Sequence, residues 1–344
     1  MKKKVTLVVV IIALSILAMA GKPEKYKIYN KWSDIQLSKA PIVSNADSTI
    51  ILISNRHFAP KDTAFFKSYR DSQEQIKTVI AQFIDGVWQV HEVNNLQQAL
   101  SYLPKRDIVF YTEGMGKTFP LNLKRGVALT TQYEVNVVMF DYPSIDPERS
   151  WFTNFNFAYA QAEEAVVTYS KFLNEVESTI ASSPDKFQGI TTSLFHHSMG
   201  NIMVKELVEQ GLHKQFDNLH LDRIVLNAAC VPGKDHQKWV SQLSFADEVV
   251  INYNEEDRQL NGASIITFNK MLGIKIDHPL ANNAIYVDMN PSLGKTHSAY
   301  LDIKGRDAIS PHIKDYYSSL FSSRPSSDNL FLSMDDHTMQ LNRP

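Results

Sequence analysis

The sequence predicts an α/β fold: a doubly wound, mostly parallel eight-stranded sheet with helices on both faces. Short apolar, β-branched runs recur along the chain, and segments of helical spacing or turn residues separate them, an alternation that favours a parallel sheet. Some runs are apolar throughout, as in V-V-M-F at 137–140, which is typical of strands covered on both sides. With 44% hydrophobic and 21% charged residues, the chain can bury a sizeable core.

Eight runs are predicted as strands, at residues 49–54, 87–93, 107–112, 135–141, 190–196, 223–228, 248–253 and 284–289. The clearest helix covers about 157–180, where residues such as Ala162, Val166 and Tyr169 recur at three- and four-residue steps. Further helices are predicted at 68–83, 96–103, 200–210 and 310–321.

The N-terminus has the pattern of an export signal. Three lysines at 2–4 precede an apolar run over 5–20 that ends A-M-A, which predicts cleavage after Ala20. The alternative is a retained membrane anchor, although this run is shorter than the span of about 20 residues that a bilayer needs. We therefore divide the chain into a signal peptide or anchor at 1–20, an N-terminal extension at 21–47, the main domain at 48–321 and a polar tail at 322–344.

Charge and cysteine content narrow the location and the partners. The net charge of -2 indicates no polyanionic partner, so no nucleic acid is expected. The single cysteine, Cys230, excludes an internal disulfide and a cysteine-based zinc site. An exported chain without disulfides fits a periplasmic or cell-envelope location. Contact with a membrane is expected only if residues 1–20 are retained, and the oligomeric state stays open.

The segment I-T-T-S-L-F-H-H-S-M-G-N at 190–201 places Ser198 where a strand gives way to a helix. Enzymes that use a serine nucleophile often hold it on such a tight turn, within reach of a base. The usual pattern is G-x-S-x-G, and here His196 stands at the leading position and Gly200 at the trailing one, giving H-x-S-x-G. Ser198 is therefore the predicted nucleophile.

An acid and a base follow in the order that this arrangement requires. The strand at 248–253 is followed by N-E-E-D-R, and the strand at 284–289 by a loop that carries His297. We assign Asp257 as the acid, with Glu256 and Glu255 as alternatives, because a carboxylate there can hold the imidazole as a base.

An oxyanion hole needs the N-H after the nucleophile, here that of Met199, and a second N-H from an earlier loop. The strand at 107–112 is followed by E-G-M-G-K, whose glycines allow the main chain to approach a substrate. Gly114 or Met115 is the candidate second donor, and a plain tight turn is the alternative.

Six motifs together resemble the α/β-hydrolase superfamily, closest to a group of uncharacterised bacterial hydrolase-like proteins with a His-Ser-Met-Gly-Asn turn. They are S-N-R-H-F at 54–58, Y-T-E-G-M-G at 111–116, F-D-Y-P-S at 140–144, H-S-M-G-N at 197–201, N-E-E-D-R-Q-L at 254–260 and H-S-A-Y at 297–300. The resemblance implies an α/β-hydrolase fold over about 48–320 and the same nucleophile, acid, base and oxyanion donors. The chain departs from the family at Glu113, Tyr142 and His196, where the family has His, Trp and a small residue.

The expected function is an exported serine hydrolase that cleaves an ester or related acyl bond in a small-molecule or lipid-like substrate. Tyr142, Glu113 and His197 are the predicted substrate-binding residues. No cofactor is expected, and no metal site, because neighbouring residues such as His196 and His197 point to opposite faces of a strand. The alternative function is a catalytically weak or inactive scaffold that acts as a cell-envelope binding protein. The sequence does not distinguish an esterase from an amidase or a peptidase.

Overall fold

The computed structural model describes residues 30–43, 46–302, 308–324, 331–335 and 337–341. Its strands, β1 to β14 in chain order, are Ile35–Leu37, Ser48–Ser54, Arg56–Phe58, Phe66–Arg70, Lys77–Ile84, Val87–Glu92, Ile108–Thr112, Asn136–Asp141, Thr192–His197, Leu221–Asn227, Ala246–Tyr253, Ala284–Asp288, Phe331–Ser333 and Thr338–Leu341. Its helices, α1 to α10, are Leu96–Ser101, Phe119–Tyr133, Trp151–Glu164, Val166–Ser182, Pro184–Phe187, Asn201–Glu209, Gln237–Val240, Arg258–Thr267, Asn290–Leu293 and Pro311–Phe321. Two 3-10 turns lie at Ser198–Gly200 and Leu212–Gln215.

The predicted fold class, an eight-stranded, mostly parallel α/β-hydrolase sheet, is wrong. In the described residues twelve strands form one mixed sheet, in the order β1-β6-β5-β2-β8-β7-β9-β10-β11-β12-β14-β13, and β3 and β4 form a second, two-stranded sheet. Pairing is antiparallel between β2 and β5, β5 and β6, and β13 and β14. From β2 to β14 the remaining neighbours are parallel.

Both faces of the large sheet are buried, which explains the continuously apolar strands. Along β2, Ile51 and Ile53 belong to one hydrophobic core, while Ile50 and Leu52 belong to the other. Helices α4 and α6 pack into the first core, and α2 and α10 into the second. Successive side chains of a strand point to opposite faces, so each apolar run contributes side chains to both cores.

The largest error in the predicted elements lies at 68–83, which was predicted as a helix and contains β5. Residues 77–83 of this strand pair with β2 over the whole length of β2. Consecutive side chains Val79, Ile80 and Ala81 are all fully buried, which a one-sided amphipathic helix would not allow. Tertiary pairing has overridden the helical spacing of the segment. The eight runs predicted as strands correspond to β2, β6, β7, β8, β9, β10, β11 and β12.

The helices also differ from their predicted bounds. The long helix predicted at 157–180 is two helices, α3 and α4, which meet at Ala165. Helices α2 and α8 were not predicted, and each precedes or follows a loop that carries candidate site residues.

Both ends of the described chain contribute to the sheet. Strand β1 comes from the predicted N-terminal extension, and β13 and β14 come from the predicted polar tail. The predicted signal peptide at 1–20 lies outside the described residues. Within those residues, no helix combines the length and the apolar character that crossing a membrane requires.

The carboxyl ends of β7, β9, β10, β11 and β12 meet at one edge of the sheet, because these strands are parallel neighbours in register. At this edge His197 lies opposite Asn227, and Asn227 lies opposite Asn252. The loops that follow these strands carry Glu113, Ser198, Asp257 and His297, so the topology gathers the predicted site residues.

A buried ion pair joins β3 to β8 beside this edge. The guanidinium of Arg56 donates to the carboxylate of Asp141 at 2.8 Å, and both side chains are buried. Arg56 also donates to the backbone carbonyls of Lys117 at 3.0 Å and Tyr142 at 2.6 Å. Arg56 thereby ties the loop after β7 to the loop after β8.

We expect Arg56→Met to lower the free energy of unfolding by about 3–5 kcal/mol, because it leaves the carboxylate of Asp141 buried without its partner. Urea unfolding measures this loss. The matched control is Arg324→Met, whose partner Glu134 is exposed, and which should change stability by less than about 1 kcal/mol. Equal losses in the two variants would contradict this role for the buried pair.

Candidate active site

Ser198 lies at a strained turn between β9 and α6. Its φ is 55°, in the left-handed region that a residue other than glycine rarely adopts. A Cβ on Gly200 would lie 2.7 Å from the carbonyl oxygen of Thr112, and one on Gly114 would lie 2.7 Å from the Cβ of Ser198. Both positions require glycine, because the turn and the loop after β7 are in backbone contact.

His196 does not disturb this turn. Its ring lies on the α4 side of the sheet, where Nε2 is 2.7 Å from the hydroxyl of Tyr169 and the two rings meet edge to face. Burial lowers the pKa of His196 to about 3, so the imidazole is neutral at ordinary pH. The His196 side chain, which replaces the first glycine of G-x-S-x-G, therefore packs in the core on the α4 side of the sheet and does not enter the site.

Asp257 and His297 meet as predicted for an acid and a base. The Nδ1 atom of His297 is 2.6 Å from Oδ2 of Asp257, and both side chains are buried. The other oxygen, Oδ1, accepts the N-H groups of Gln259 at 2.9 Å and Leu260 at 3.0 Å and so caps helix α8. The helix N-terminus stabilises the negative charge and fixes the direction of the carboxylate.

His297 lies close to the turn at Ser198. Its ring centroid is 4.6 Å from that of His197, the residue before Ser198, and Ser198 and His297 are each 9% exposed. None of the hydrogen bonds between described residues joins Ser198 to His297. Hydrogen bonds between catalytic residues are often long in unliganded enzymes and shorten when substrate binds.

The loop after β7 offers one of its two candidate oxyanion donors. The N-H of Gly114 already donates to the carboxylate of Glu113 at 2.7 Å. The N-H of Met115 donates to no described residue. Met199 begins the turn into α6, where the first N-H groups lack partners within the helix, and its nitrogen lies beside Gly114. The N-H groups of Met115 and Met199 are therefore the pair that could hold an oxyanion.

The three predicted substrate-binding residues are buried. Tyr142 and Glu113 are 1% exposed, and His197 is 2% exposed, so their side chains present almost no surface to a ligand. Burial raises the pKa of Tyr142, and its hydroxyl has no hydrogen-bond partner among the described residues. Their role in substrate binding stays a prediction, and in this structure all three side chains are packed inside the protein.

Glu113 is ionised despite its burial. Burial alone would raise its pKa, but Lys117 and Arg125, each 3.3 Å away, hold the pKa of Glu113 well below its usual range. Two positive side chains therefore face one carboxylate next to the turn. The two positive charges outweigh the negative charge of Glu113, so the cluster as a whole does not repel an anion at the turn.

His197 belongs to a polar network that was not predicted. The amide of Asn227 donates to its Nδ1 at 3.1 Å, which leaves Nε2 as the N-H that faces the hydroxyl of Ser298 at 3.2 Å. Burial and the neighbouring His297 lower the pKa of His197 well below its usual range. Asn227, the last residue of β10, and Asn252, the second-to-last residue of β11, are the sequence feature that could have indicated this network.

A cavity of about 680 Å³ opens beside His297. Its lining combines polar and apolar side chains, including Gln259, Ser298, Leu293, Leu301, Ile309 and Ile313. Within the described residues, no group of three or more His, Cys, Asp or Glu side chains is placed to hold a metal ion.

Comparison with known proteins gives no family. No family model matches the chain, and no curated protein matches it. A solved structure described as an arylesterase matches 77% of this chain and 81% of its own, at 11% identity and a TM-score of 0.31. At these values we draw nothing from the likeness. Membership of the α/β-hydrolase superfamily stays a prediction.

We expect the free energy of unfolding to fall as pH drops below about 6.5, because unfolded His196 binds a proton that the folded, buried ring does not bind. Between pH 7 and 5 this group should account for about 2 kcal/mol. Urea unfolding of His196→Gln at both pH values should show a smaller decrease than the wild type by about that amount. His220 is exposed, so His220→Gln should behave as the wild type does; an unchanged decrease in His196→Gln would contradict the assignment.

Proposed function

We propose that the protein is a serine hydrolase that cleaves an ester or a related acyl bond. The observation that carries this proposal is the 2.6 Å contact between Asp257 and His297, next to a serine held at φ 55° on a strand-to-helix turn. A strained serine, an oriented imidazole and a fixed carboxylate are the parts that a nucleophilic acyl transfer requires.

Each residue has a defined role in this reaction. As Oγ of Ser198 bonds to the acyl carbon, Nε2 of His297 takes its proton. That proton then passes to the oxygen of the leaving alcohol as the acyl-oxygen bond breaks, leaving an acyl-enzyme. Water attacks the acyl-enzyme by the same proton path and releases the acid. Asp257 accepts Nδ1-H of His297, so that the other nitrogen faces the serine.

The developing oxyanion would be held by the N-H groups of Met115 and Met199. The nitrogen of Met199 lies beside Gly114, the residue before Met115, and fixed N-H groups in a buried site stabilise developing charge without reorganisation. The two positive charges of Lys117 and Arg125 outweigh the negative charge of Glu113. The net positive charge favours the developing oxyanion.

The substrate class is a small-molecule or lipid-like acyl compound. The cavity beside His297 has a mixed polar and apolar lining that suits an acyl chain attached to a polar group; His297 lines it, and Ser198 does not. Export to the periplasm or cell envelope is a further part of the proposal. It rests on residues 1–20, which lie outside the described residues.

Two observations favour a second function, a cell-envelope binding protein without catalysis. The N-H of Gly114 is occupied by Glu113, and Ser198 and His297 share no hydrogen bond among the described residues. If Ser198 and His297 never came within hydrogen-bond distance, the protein would keep the buried site but would not turn over a substrate.

Labelling with a fluorophosphonate probe separates the two functions. We expect the wild-type protein to be phosphonylated at Ser198, because its turn and the neighbouring imidazole activate that hydroxyl. Ser198→Ala should remain unlabelled, as shown by intact mass and peptide mapping. The matched control is Ser298→Ala, which removes a nearby buried hydroxyl and should still be labelled at Ser198. A wild-type protein that stays unlabelled, or a label that persists in Ser198→Ala, would exclude the hydrolase.

A further inference from the structure

The carboxylate of Glu113 contacts two separate segments of the site. Its Oε2 accepts the N-H of Gly114 at 2.7 Å and lies 3.3 Å from Nζ of Lys117. Its Oε1 accepts the hydroxyl of Tyr300 at 3.0 Å and lies 3.3 Å from Nε of Arg125. One side of the carboxylate therefore holds the oxyanion loop, residues 113–116, and the other side holds the chain that follows His297.

The direction of these hydrogen bonds follows from the charge of Glu113. An ionised carboxylate only accepts hydrogen bonds, so Tyr300 donates to Glu113. The hydroxyl of Tyr111 lies 2.7 Å from that of Tyr300 and then donates to it. All three side chains are buried, and hydrogen bonds to charged groups are the stronger kind.

Tyr300 lies in the same loop as the base. It follows His297 by three residues, and its ring centroid is 4.8 Å from that of His197. Its carbonyl accepts the hydroxyl of Tyr133 at 2.8 Å, which fixes the backbone of this loop to helix α2. A shift of Tyr300 would therefore move the segment that carries His297.

We infer that Glu113 is a positioning residue that couples the oxyanion loop to the loop of the base through its hydrogen bond with Tyr300. The inference rests on the proposed function, since it assigns Met115 and His297 their roles. Through Gly114, Glu113 sets the place of the N-H of Met115, and through Tyr300 it sets the place of His297. A misplacement of about 1 Å in an active site can cost about 10²-fold in rate.

Stability alone does not explain the cluster. Buried ion pairs are weak contributors to stability, because apolar side chains of similar volume often replace them without loss. Here three charged side chains, Glu113, Lys117 and Arg125, are gathered against the nucleophile turn. Their hydrogen bonds join the oxyanion loop to the loop that carries His297. Apolar side chains could not make such directed bonds.

The test compares Tyr300→Phe, Glu113→Gln and the double variant in hydrolysis of p-nitrophenyl acetate and in the rate of fluorophosphonate labelling. Tyr300→Phe should lower kcat and the labelling rate by about 10-fold, and Glu113→Gln by about 10²-fold, with KM changed by less than about 3-fold. The double variant should be no slower than Glu113→Gln, because both changes break one coupling.

The matched control is Tyr286→Phe, which removes another buried hydroxyl with two hydrogen-bond partners, His236 and Ala281. It should lose similar thermal stability and keep the wild-type kcat. If Glu113→Gln fails to fold, Tyr300→Phe decides alone, because it removes a single oxygen and leaves the charges in place.

The outcomes separate the two proposals. A wild-type protein that is labelled at Ser198, with Tyr300→Phe labelled at the same rate, overturns the coupling and leaves the hydrolase standing. Equal losses of kcat in Tyr300→Phe and Tyr286→Phe also overturn it, because they show only a general loss of structure. A wild-type protein without label overturns the proposed function and the coupling together.

Discussion

The backbone contact between the loop after β7 and the turn at Ser198 is the constraint on which the site depends. Gly200 lies against the carbonyl of Thr112, and Gly114 lies against Ser198, each with no room for a Cβ. Because β7 and β9 are parallel neighbours, both loops leave the sheet at the same edge. The contact places the loop after β7 directly beside Ser198 and the nitrogen of Met199.

Buried polar groups hold the loop after β7 in this contact. Arg56 binds the carbonyl of Lys117, Ser144 binds both the N-H and the carbonyl of Lys117, and Glu113 binds the N-H of Gly114. Each bond satisfies a buried main-chain group that would otherwise cost about 1–3 kcal/mol. These bonds hold the loop on one side, and among the described residues the N-H of Met115 has no hydrogen-bond acceptor.

The sequence predicted the strands that enter the site because buried strands have continuous β-branched runs, as at β8 and β10. It predicted the pairing of Asp257 with His297 because chain order and strand ends place them at one edge of the sheet. It failed at β5, where helical spacing competed with pairing to β2, and hence in the number and direction of strands. The short strands β1 and β13 at the two edges of the sheet, and β14 next to β13, are set by tertiary pairing and have no strong local pattern.

The role of Glu113 could not be predicted from the sequence. An acidic residue after a strand gives the same sequence pattern whether its side chain contacts a substrate or is buried. Its partners Arg125 and Tyr300 are 12 and 187 residues away along the chain, so their charges could not be assigned to it. Burial of Tyr142, Glu113 and His197 likewise depends on packing between elements that are distant in sequence, so the sequence pattern alone could not indicate it.

The most direct measurement is a crystal structure of the protein with a phosphonate bonded to Ser198. The account predicts that the phosphoryl oxygen lies about 2.7–3.1 Å from the backbone nitrogens of both Met115 and Met199, while Glu113 keeps the N-H of Gly114 and His297 stays on Asp257. An adduct whose oxygen points away from both nitrogens, or a loop in which Glu113 has moved into the hole, would contradict it.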